Sequence, residues 1–531
     1  MSDARTTTLM ETWFIPALVA AIIAARLLFS FYSSWQHAHR ARSLNCQEAP
    51  LYPSRDPFGI ATLLETLQAD RDKILPKLSQ KRVDVISSWQ NRYVSTFRVR
   101  QAGRENFFTV DPKNIQAMLA TQFNDFFLGD MRRNAGAPVM SRGIFVSDGA
   151  DWSHSRSLIR PQFTRTQINN LELEERHVQN ALRAMPTRSH GWTSDVDIQT
   201  IFFRLTLDSA TEFLFGKSCN SQVTALGQNV GDMPDSFLNS FDRCAWYLAA
   251  RLRFERLYWI VNNKEFRECT RVVHDLVDGY VQSALQRAQQ TEKPADLESR
   301  SQYVFVDALT ERTKDPIELR DECLNVLIAG RDTTASLLSW NILLLARHPH
   351  IFQRLRKEII EQFGTYSEPR DINFSSLKSC QYLQHFINET LRLHPVVPFN
   401  RRCANKDTTL PTGGGKDGKS PIYLQKGQPV LYSSYVLQRR KDIWGEDAEE
   451  FNPDRWFGRK AIWEHIPFSG GPRTCIGQQF ALTNTSYVLV RLLQRFDSIE
   501  DVYPDRQIRY GVTLTNCPAD RVTVRMHQAE L

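Results

Sequence analysis

The sequence predicts a mainly α-helical body with a small β-region, preceded by one N-terminal transmembrane helix. Three observations carry that prediction. Residues 13–32 form an apolar run broken by a single charge, Arg26, and about twenty such residues suffice to cross a bilayer. Residues 319–346 repeat apolar side chains at helical spacing over a long stretch. Strand-like alternation is concentrated in residues 92–110, where Tyr93, Ser95, Phe97 and Val99 share one period and Ala102-Gly103 supplies a turn. The 531 residues, 42% hydrophobic and 24% charged, provide for a large core. No Pro/Gly/Ser-rich linker or internal repeat divides them, so one large domain is expected.

In chain order, residues 1–32 are read as a membrane anchor. The apolar stretch resumes after Arg26, which favours an anchor over a cleaved signal peptide. His37, His39, Arg40 and Arg42 follow the span, so the body is expected on the cytosolic side. Residues 33–59 carry Pro50, Pro53 and Pro57 and read as a stiff connector. Residues 60–531 form the body. The net charge of the whole chain, +7, is scattered rather than clustered. That argues against a nucleic-acid partner and for a mildly basic face toward an acidic protein or an anionic membrane. Nine cysteines without a CxxC pair point to a reducing compartment.

Residues 60–89 have helical periodicity. Trp152 and Arg156 are four apart and share a helix face. Residues 167–290 read as mostly helical, with Phe213, Phe215, Trp246, Tyr247 and Trp259 expected in the core or along a channel. The helix over 319–346 contains Ala329-Gly330-Arg331-Asp332-Thr333-Thr334. An acid, hydroxyls and a glycine inside an apolar helix contradict local propensity, and such conflicts tend to mark function. Gly330 leaves room for a small ligand, and Asp332 and Thr333 are placed to relay protons to it. A further helix over 383–393 carries Glu389 and Arg392, three apart.

The most informative stretch is Phe468-Ser469-Gly470-Gly471-Pro472-Arg473-Thr474-Cys475-Ile476-Gly477, a tight loop running into an amphipathic helix. Backbone N–H groups and the helix dipole at Cys475 favour a thiolate, the proximal ligand a haem iron needs for O–O cleavage. Gly471 and Gly477 would let backbone approach a porphyrin, and Arg473 would reach a haem carboxylate. Gly413–Ser420 satisfies the pattern G-x-x-x-x-G-K-[ST], but Pro411 precedes it and a strand-like Ile422-Tyr423-Leu424 follows. It reads as a hairpin tip rather than a phosphate-binding loop. Asn373, Asn388 and Asn484 head N-x-[ST] sequons that a cytosolic body would leave unmodified.

The loop resembles the signature F-x-x-G-x-R-x-C-x-G of the cytochrome P450 superfamily, through Phe468, Gly471, Arg473, Cys475 and Gly477. Ala329–Thr334 resembles that superfamily's oxygen-binding groove, and Glu389/Arg392 its E-x-x-R pair. The resemblance implies haem b with Cys475 as axial ligand, O2 as co-substrate, and electrons from NADPH through a separate NADPH–cytochrome P450 reductase, with cytochrome b5 as a possible second donor. It also implies that Trp152 and Arg156 meet a haem propionate and that Arg402, or Arg401 beside it, meets the second. Arg455, in Phe451-Asn452-Pro453-Asp454-Arg455-Trp456, completes a structural triad, with Asp454 standing where Glu is usual. Leu327–Ala335, Thr408–Ser420, Gln438–Ala448 and Gly470–Leu482 narrow the resemblance to the fungal alkane and fatty-acid hydroxylases. These are endoplasmic-reticulum enzymes with a single membrane pass. Ala329, Val396, Val397 and Leu514 are the implied substrate contacts. His394 and Arg401 depart from that family's usual Tyr and Phe, near the expected haem side. A haem-thiolate isomerase or dehydratase is the rival class, which Asp332-Thr333 disfavours because such enzymes need no proton relay. A monooxygenase acting on another hydrophobic compound is the nearer alternative.

Overall fold

A computed structural model describes residues 4–54, 56–163, 171–188, 190–228, 235–290 and 303–530. The first helix runs Ala4–Ser43. It does not stop at residue 32, because no proline or glycine occurs between Tyr32 and Ser43; the first of the connector prolines is Pro50. Its apolar part, Ala17–Ser43, is long and apolar enough to cross a membrane and is not covered by the body. The far end is docked. Arg40 pairs with Asp407 at 2.7 Å, the Tyr423 hydroxyl donates to Asp407 at 2.6 Å, and the His37 ring lies 3.1 Å from that hydroxyl.

The β-structure comprises β1 (Thr96–Gln101), β2 (Arg104–Thr109), β3 (Phe126–Phe127), β4 (Val196–Asp197), β5 (Phe399–Ala404), β6 (Thr408–Gly414), β7 (Ser420–Leu424), β8 (Pro429–Ser433), β9 (Phe496–Asp501), β10 (Tyr510–Val512), β11 (Asn516–Pro518) and β12 (Thr523–Gln528). One sheet has the order β1-β2-β8-β5-β3, with the β2–β8 pair parallel and the others antiparallel. The expected turn joins β1 to β2: Ala102 and Gly103 both adopt positive φ, the backbone a two-residue hairpin requires.

The hairpin β6–β7 holds the glycine-rich stretch at its tip, with no helix after it. The glycines serve contact with the connector. A Cβ on Gly414 would lie 2.5 Å from the Gln47 carbonyl oxygen. The Gly415 N–H donates to the Glu48 carbonyl, and the Gln47 N–H to the Pro421 carbonyl. The sequons are also structural positions: Asn373 caps a helix through a capping box, and Asn484 is buried against Glu174.

The long helix Pro316–Arg347 passes through the centre of the body. Asp315 caps it by accepting the Ile317 N–H at 2.9 Å, and Pro316 occupies the first turn, where its missing N–H costs nothing. Most of its side chains are buried, as expected of a helix that core elements surround. Around it pack the helices Ile198–Phe215, Lys264–Gln290, Gln381–Leu393 and Gln478–Arg495. The stretch 167–290 is helical over Leu171–Arg183, Ile198–Phe215, Ser221–Ala225, Asp235–Arg253 and Lys264–Gln290, while residues 167–170, 189 and 229–234 lie outside the described residues. Phe213, Phe215 and Tyr247 are buried there as expected, but Trp246 and Trp259 are exposed.

Candidate active site

The loop before the last helix is built as the sequence predicts. A 3-10 turn over Gly471–Arg473 leads to Cys475, whose N–H donates to the Phe468 carbonyl at 3.0 Å, and Gly477 caps the helix Gln478–Arg495. Phe468 packs half-buried against the core. Cys475 carries accessible surface yet lies deep within the protein, so that surface faces an interior cavity. Burial pushes its thiol pKa up, against the Gly477 N–H and Arg156, which pull it down. The loop alone therefore does not yield the thiolate expected from its amides; a metal cation is what would deprotonate it. The two glycines differ. Gly471 has φ of 65°, and a Cβ there would lie 1.8 Å from the Leu119 carbonyl oxygen, so it serves loop packing rather than a porphyrin. At Gly477 a Cβ would meet nothing closer than Phe163 at 3.7 Å.

Across the cavity lies the central helix. Val326, Ala329, Gly330 and Thr333 are only partly buried, while every other residue from Asp321 to Ala346 is buried. Their spacing puts them on one face. A Cβ built on Gly330 meets nothing within 4 Å. The Thr333 hydroxyl donates to the Ala329 carbonyl at 2.6 Å, a back-bond that tends to bend a helix. Asp332 does not share that face. It is buried beside Arg331, at 3.2 Å, and Arg331 also pairs with Asp242. Burial raises the Asp332 carboxyl pKa, against the pull of Arg331.

Along one side of the cavity four guanidinium groups converge. The Arg156 Nη1 donates to the Thr474 carbonyl at 3.1 Å, and Trp152 lies beneath Arg473 at 4.4 Å from ring centre to guanidinium. Arg402 is buried, and Arg132 donates to the Phe145 carbonyl at 2.9 Å and to Asn400 at 2.9 Å. Asp148 is the carboxylate in the cluster, 2.8 Å from Arg473. Burial first and Arg402 next press the Arg473 pKa down to about 9 and that of Arg132 down to about 10. Four cations against Asp148 leave a net positive charge that anionic ligands would relieve. This donor set fits a haem carrying two carboxylates. Arg132 and Asp148 were missed in the sequence because no motif spacing singles them out.

Arg401 points elsewhere. Neighbours in a strand face opposite ways, and its guanidinium lies 3.5 Å from Glu255. His394 is buried in the core and stacked on Trp340 at 4.1 Å, and burial lowers its pKa well below the usual value.

Glu389, Arg392 and Arg455 come together as expected. Glu389 accepts from Arg392 through both oxygens at 2.8 Å and from Arg455 at 3.3 Å; the Trp456 indole and the Asn452 N–H each add a bond at 3.0 Å. Asp454 pairs with Arg354 at 2.8 Å on the surface, so it does not disturb this group. Gln438 connects the triad helix to the cysteine loop: its amide donates to the Leu391 and Arg392 carbonyls and accepts from the Ile466 N–H.

Of the expected substrate contacts, Ala329 lies on the cavity face. Val396 is buried, and its carbonyl accepts the Asn516 N–H at 2.9 Å, which ties this segment to β11. Leu514 sits at the turn between β10 and β11, partly buried in the cluster that also holds Val326, Ile476 and Phe480. Val397 is exposed.

The sequence profile described as Cytochrome P450 matches residues 73–516. Cytochrome P450 monooxygenase g430 of a Fusarium species is 48% identical over 516 residues, covering 96% of this chain and 89% of that protein. Cytochrome P450 52A10 of Candida maltosa is 46% identical, covering 81% of this chain and 84% of that protein. Cytochrome P450 monooxygenase alt2 of Alternaria solani is 42% identical, covering 87% of each. A profile spanning most of the body and relatives this similar over nearly their full length place the chain in the cytochrome P450 family, the haem-thiolate monooxygenases that use O2 and NADPH-derived electrons.

Proposed function

We propose that this monooxygenase hydroxylates long-chain fatty acids or n-alkanes at or near the chain end, from the endoplasmic reticulum membrane and with its body in the cytosol. The observation that carries the reading is the apolar chemistry beside the cysteine loop: Val326, Ile476, Phe480 and Leu514 are partly buried against one hydrophobic cluster, and Ala329 shares the partly buried helix face on which Thr333 is the polar member. Similarity to cytochromes P450 52A10 and 52A13, the latter of Debaryomyces hansenii, adds support. So does a helix long enough to hold the body at a membrane. Each buried methylene contributes about 0.8 kcal/mol, so an aliphatic tail binds without polar recognition.

In this reading Cys475 holds the haem iron. Arg132, Arg156, Arg402 and Arg473, with Trp152, hold the haem carboxylates. Haem, when bound, supplies the activation of O2 that places one oxygen atom in a C–H bond and releases the other as water. The protein's part is to exclude bulk water with the apolar wall and to bring protons in order. Thr333 holds a hydroxyl proton at the groove opened by Gly330. Asp332, the acid of the relay, faces Arg331 on another side of the helix, so resupply of Thr333 runs through that pair rather than by direct contact. A separate NADPH–cytochrome P450 reductase delivers the electrons, with cytochrome b5 as a second donor.

Thr333→Ala is expected to leave haem content and substrate affinity near wild type and to lower product formed per NADPH by about tenfold, the lost equivalents appearing as hydrogen peroxide. Product yield per NADPH equal to wild type would remove Thr333 from proton delivery.

The substrate reading is tested with reductase, NADPH and a series from laurate to oleate together with n-alkanes. Dissociation constants from spin-state titration should fall about fourfold per added methylene until the channel is filled, and product analysis should find the hydroxyl at the terminal or adjacent carbons. Indifference to all of these, alongside turnover of an aromatic or steroid compound, would refute the substrate class and leave the monooxygenase intact.

Removing residues 1–32 should convert an integral protein to a peripheral one. Alkaline carbonate would then extract the truncated form but not the full chain. Residual attachment is expected because Phe58, Ile60, Leu64, Trp259 and Ile260 are exposed, and the Asp70–Arg253 pair (3.0 Å) joins the two segments that carry them. Extraction of the full-length protein by the same wash would argue against a spanning helix.

A further inference from the structure

Asp332 and Asp242 share one nitrogen. The Arg331 Nη1 donates to Asp332 at 3.2 Å and also to Asp242, which lies on the separate helix Asp235–Arg253. The guanidinium is held where it is. It lies over the Phe203 and Phe241 rings, 5.3 and 5.2 Å from their centres, and its Nε is buried without a hydrogen-bond partner. The two carboxyl groups differ in their surroundings. The side chains of Arg331 and Asp332 are 6% and 5% exposed, whereas that of Asp242 is 59% exposed. A carboxylate in water thus shares a buried cation with a buried carboxyl.

An acid that hands on protons must be able to hold one at the working pH. A guanidinium devoted to Asp332 alone would keep that carboxyl ionised, because an opposite charge in contact favours the charged form. Sharing weakens the hold. Asp242 takes part of the Arg331 cation toward the surface and sets a second negative charge nearby, and both effects favour a proton on Asp332. Its pKa moves accordingly: burial raises it, Arg331 opposes, and Asp242 adds to the rise. The neighbouring thiols bring no charge. Burial pushes the pKa of Cys517 in β11 up to about 12, and Cys219, near Arg331, donates its S–H to Asp208 at 2.9 Å. Among the described residues, Arg331 and Asp242 are the charged groups that act on Asp332.

We infer that Asp242 is a positioning residue for proton delivery: by taking a share of Arg331 it leaves Asp332 able to carry a proton, an inference that rests on Asp332 being the acid of the relay. Asp242 touches neither substrate nor haem. Its effect passes through Arg331, so the charge of residue 242 matters and its shape does not.

The test uses the full-length, haem-loaded enzyme and reads the carboxyl directly. Infrared spectra of the ferric protein, recorded across pH without turnover, follow the C=O stretch of protonated Asp332, which Asp332→Asn identifies by removing it. In Asp242→Asn this band should titrate about one pH unit lower than in wild type, and Asp242→Glu should restore the wild-type midpoint. Turnover is then measured with reductase, NADPH and a compound that wild type turns over in the substrate test above. The pH at which product per NADPH falls to half should move down by about the same one unit in Asp242→Asn, with haem content and the ferrous–CO spectrum unaltered, and should return in Asp242→Glu. Unmoved midpoints in Asp242→Asn, a shifted band without a shifted product yield, or a wild type with no band that Asp332→Asn removes would each overturn the inference. Product per NADPH at the wild-type level in Asp332→Asn would overturn the relay itself, a result distinct from a working relay indifferent to Asp242.

Discussion

Cys475→Ser is expected to abolish the red-shifted ferrous–CO absorption band and all turnover. The loop positions this sulfur through one backbone bond to Phe468 and a glycine cap at the start of the last helix. A serine in the same place keeps the shape but offers a hydroxyl far less readily ionised than a thiol. Burial already raises the thiol pKa here, so an alcohol at this position would remain neutral and bind iron poorly. Haem content measured beside the spectrum separates weakened binding from altered ligation. A normal band in the serine variant would take Cys475 off the iron.

Glu389→Ala should be the most destabilising single change in the body. Glu389 and Arg392 are completely buried, and the carboxylate accepts five hydrogen bonds, from Arg392 twice, Arg455, Trp456 and the Asn452 N–H. Removing it leaves the wholly buried Arg392 without its counter-charge, while Arg455 keeps Asp447 at 2.8 Å. Breaking a buried pair from one side costs about 3–5 kcal/mol, a large part of the roughly 5–15 kcal/mol that holds a domain together. Because Gln438 joins this helix to the loop before Cys475, haem retention should fall together with stability. Thermal unfolding and haem content of the variant check the expectation, and a melting temperature within a degree or two of wild type would show that the triad is dispensable. Glu389→Gln, which keeps the shape and loses the charge, should fall between.

The parts of the site that were legible in the sequence are those whose residues lie within one turn or loop. Trp152 and Arg156, Glu389 and Arg392, and Phe468 to Gly477 each declare themselves through local spacing, and each group is kept together in the fold; of Ala329 to Thr334, Ala329, Gly330 and Thr333 share a face and Asp332 does not. The strand pair at 96–109 was equally readable, since its turn needs two residues of positive φ and Ala102-Gly103 supplies them. What depended on distant partners was not readable. Arg132 and Asp148 enter the cation cluster only through the fold. The direction of Asp332 is decided by Arg331 and by Asp242 on another helix, so adjacency to Thr333 in sequence did not mean a shared face. Gly471 looked like a haem contact, but its freedom is spent on the Leu119 carbonyl. The length of the first helix was underestimated because its apolar run ends before its helical one, and the contact of Arg40 with Asp407 joins residues far apart in the chain.

The central claim is that one oxygen atom from O2 enters an aliphatic chain at a haem held by Cys475. The most direct measurement is turnover of laurate by the full-length enzyme with reductase and NADPH under isotopically labelled dioxygen, followed by mass analysis of the products. The expected result is a hydroxylaurate carrying one labelled oxygen, with the hydroxyl at or next to the terminal carbon and no such product from Cys475→Ser. Hydroxyl oxygen drawn from water, or consumption of NADPH and O2 with no oxygenated aliphatic product, would contradict it.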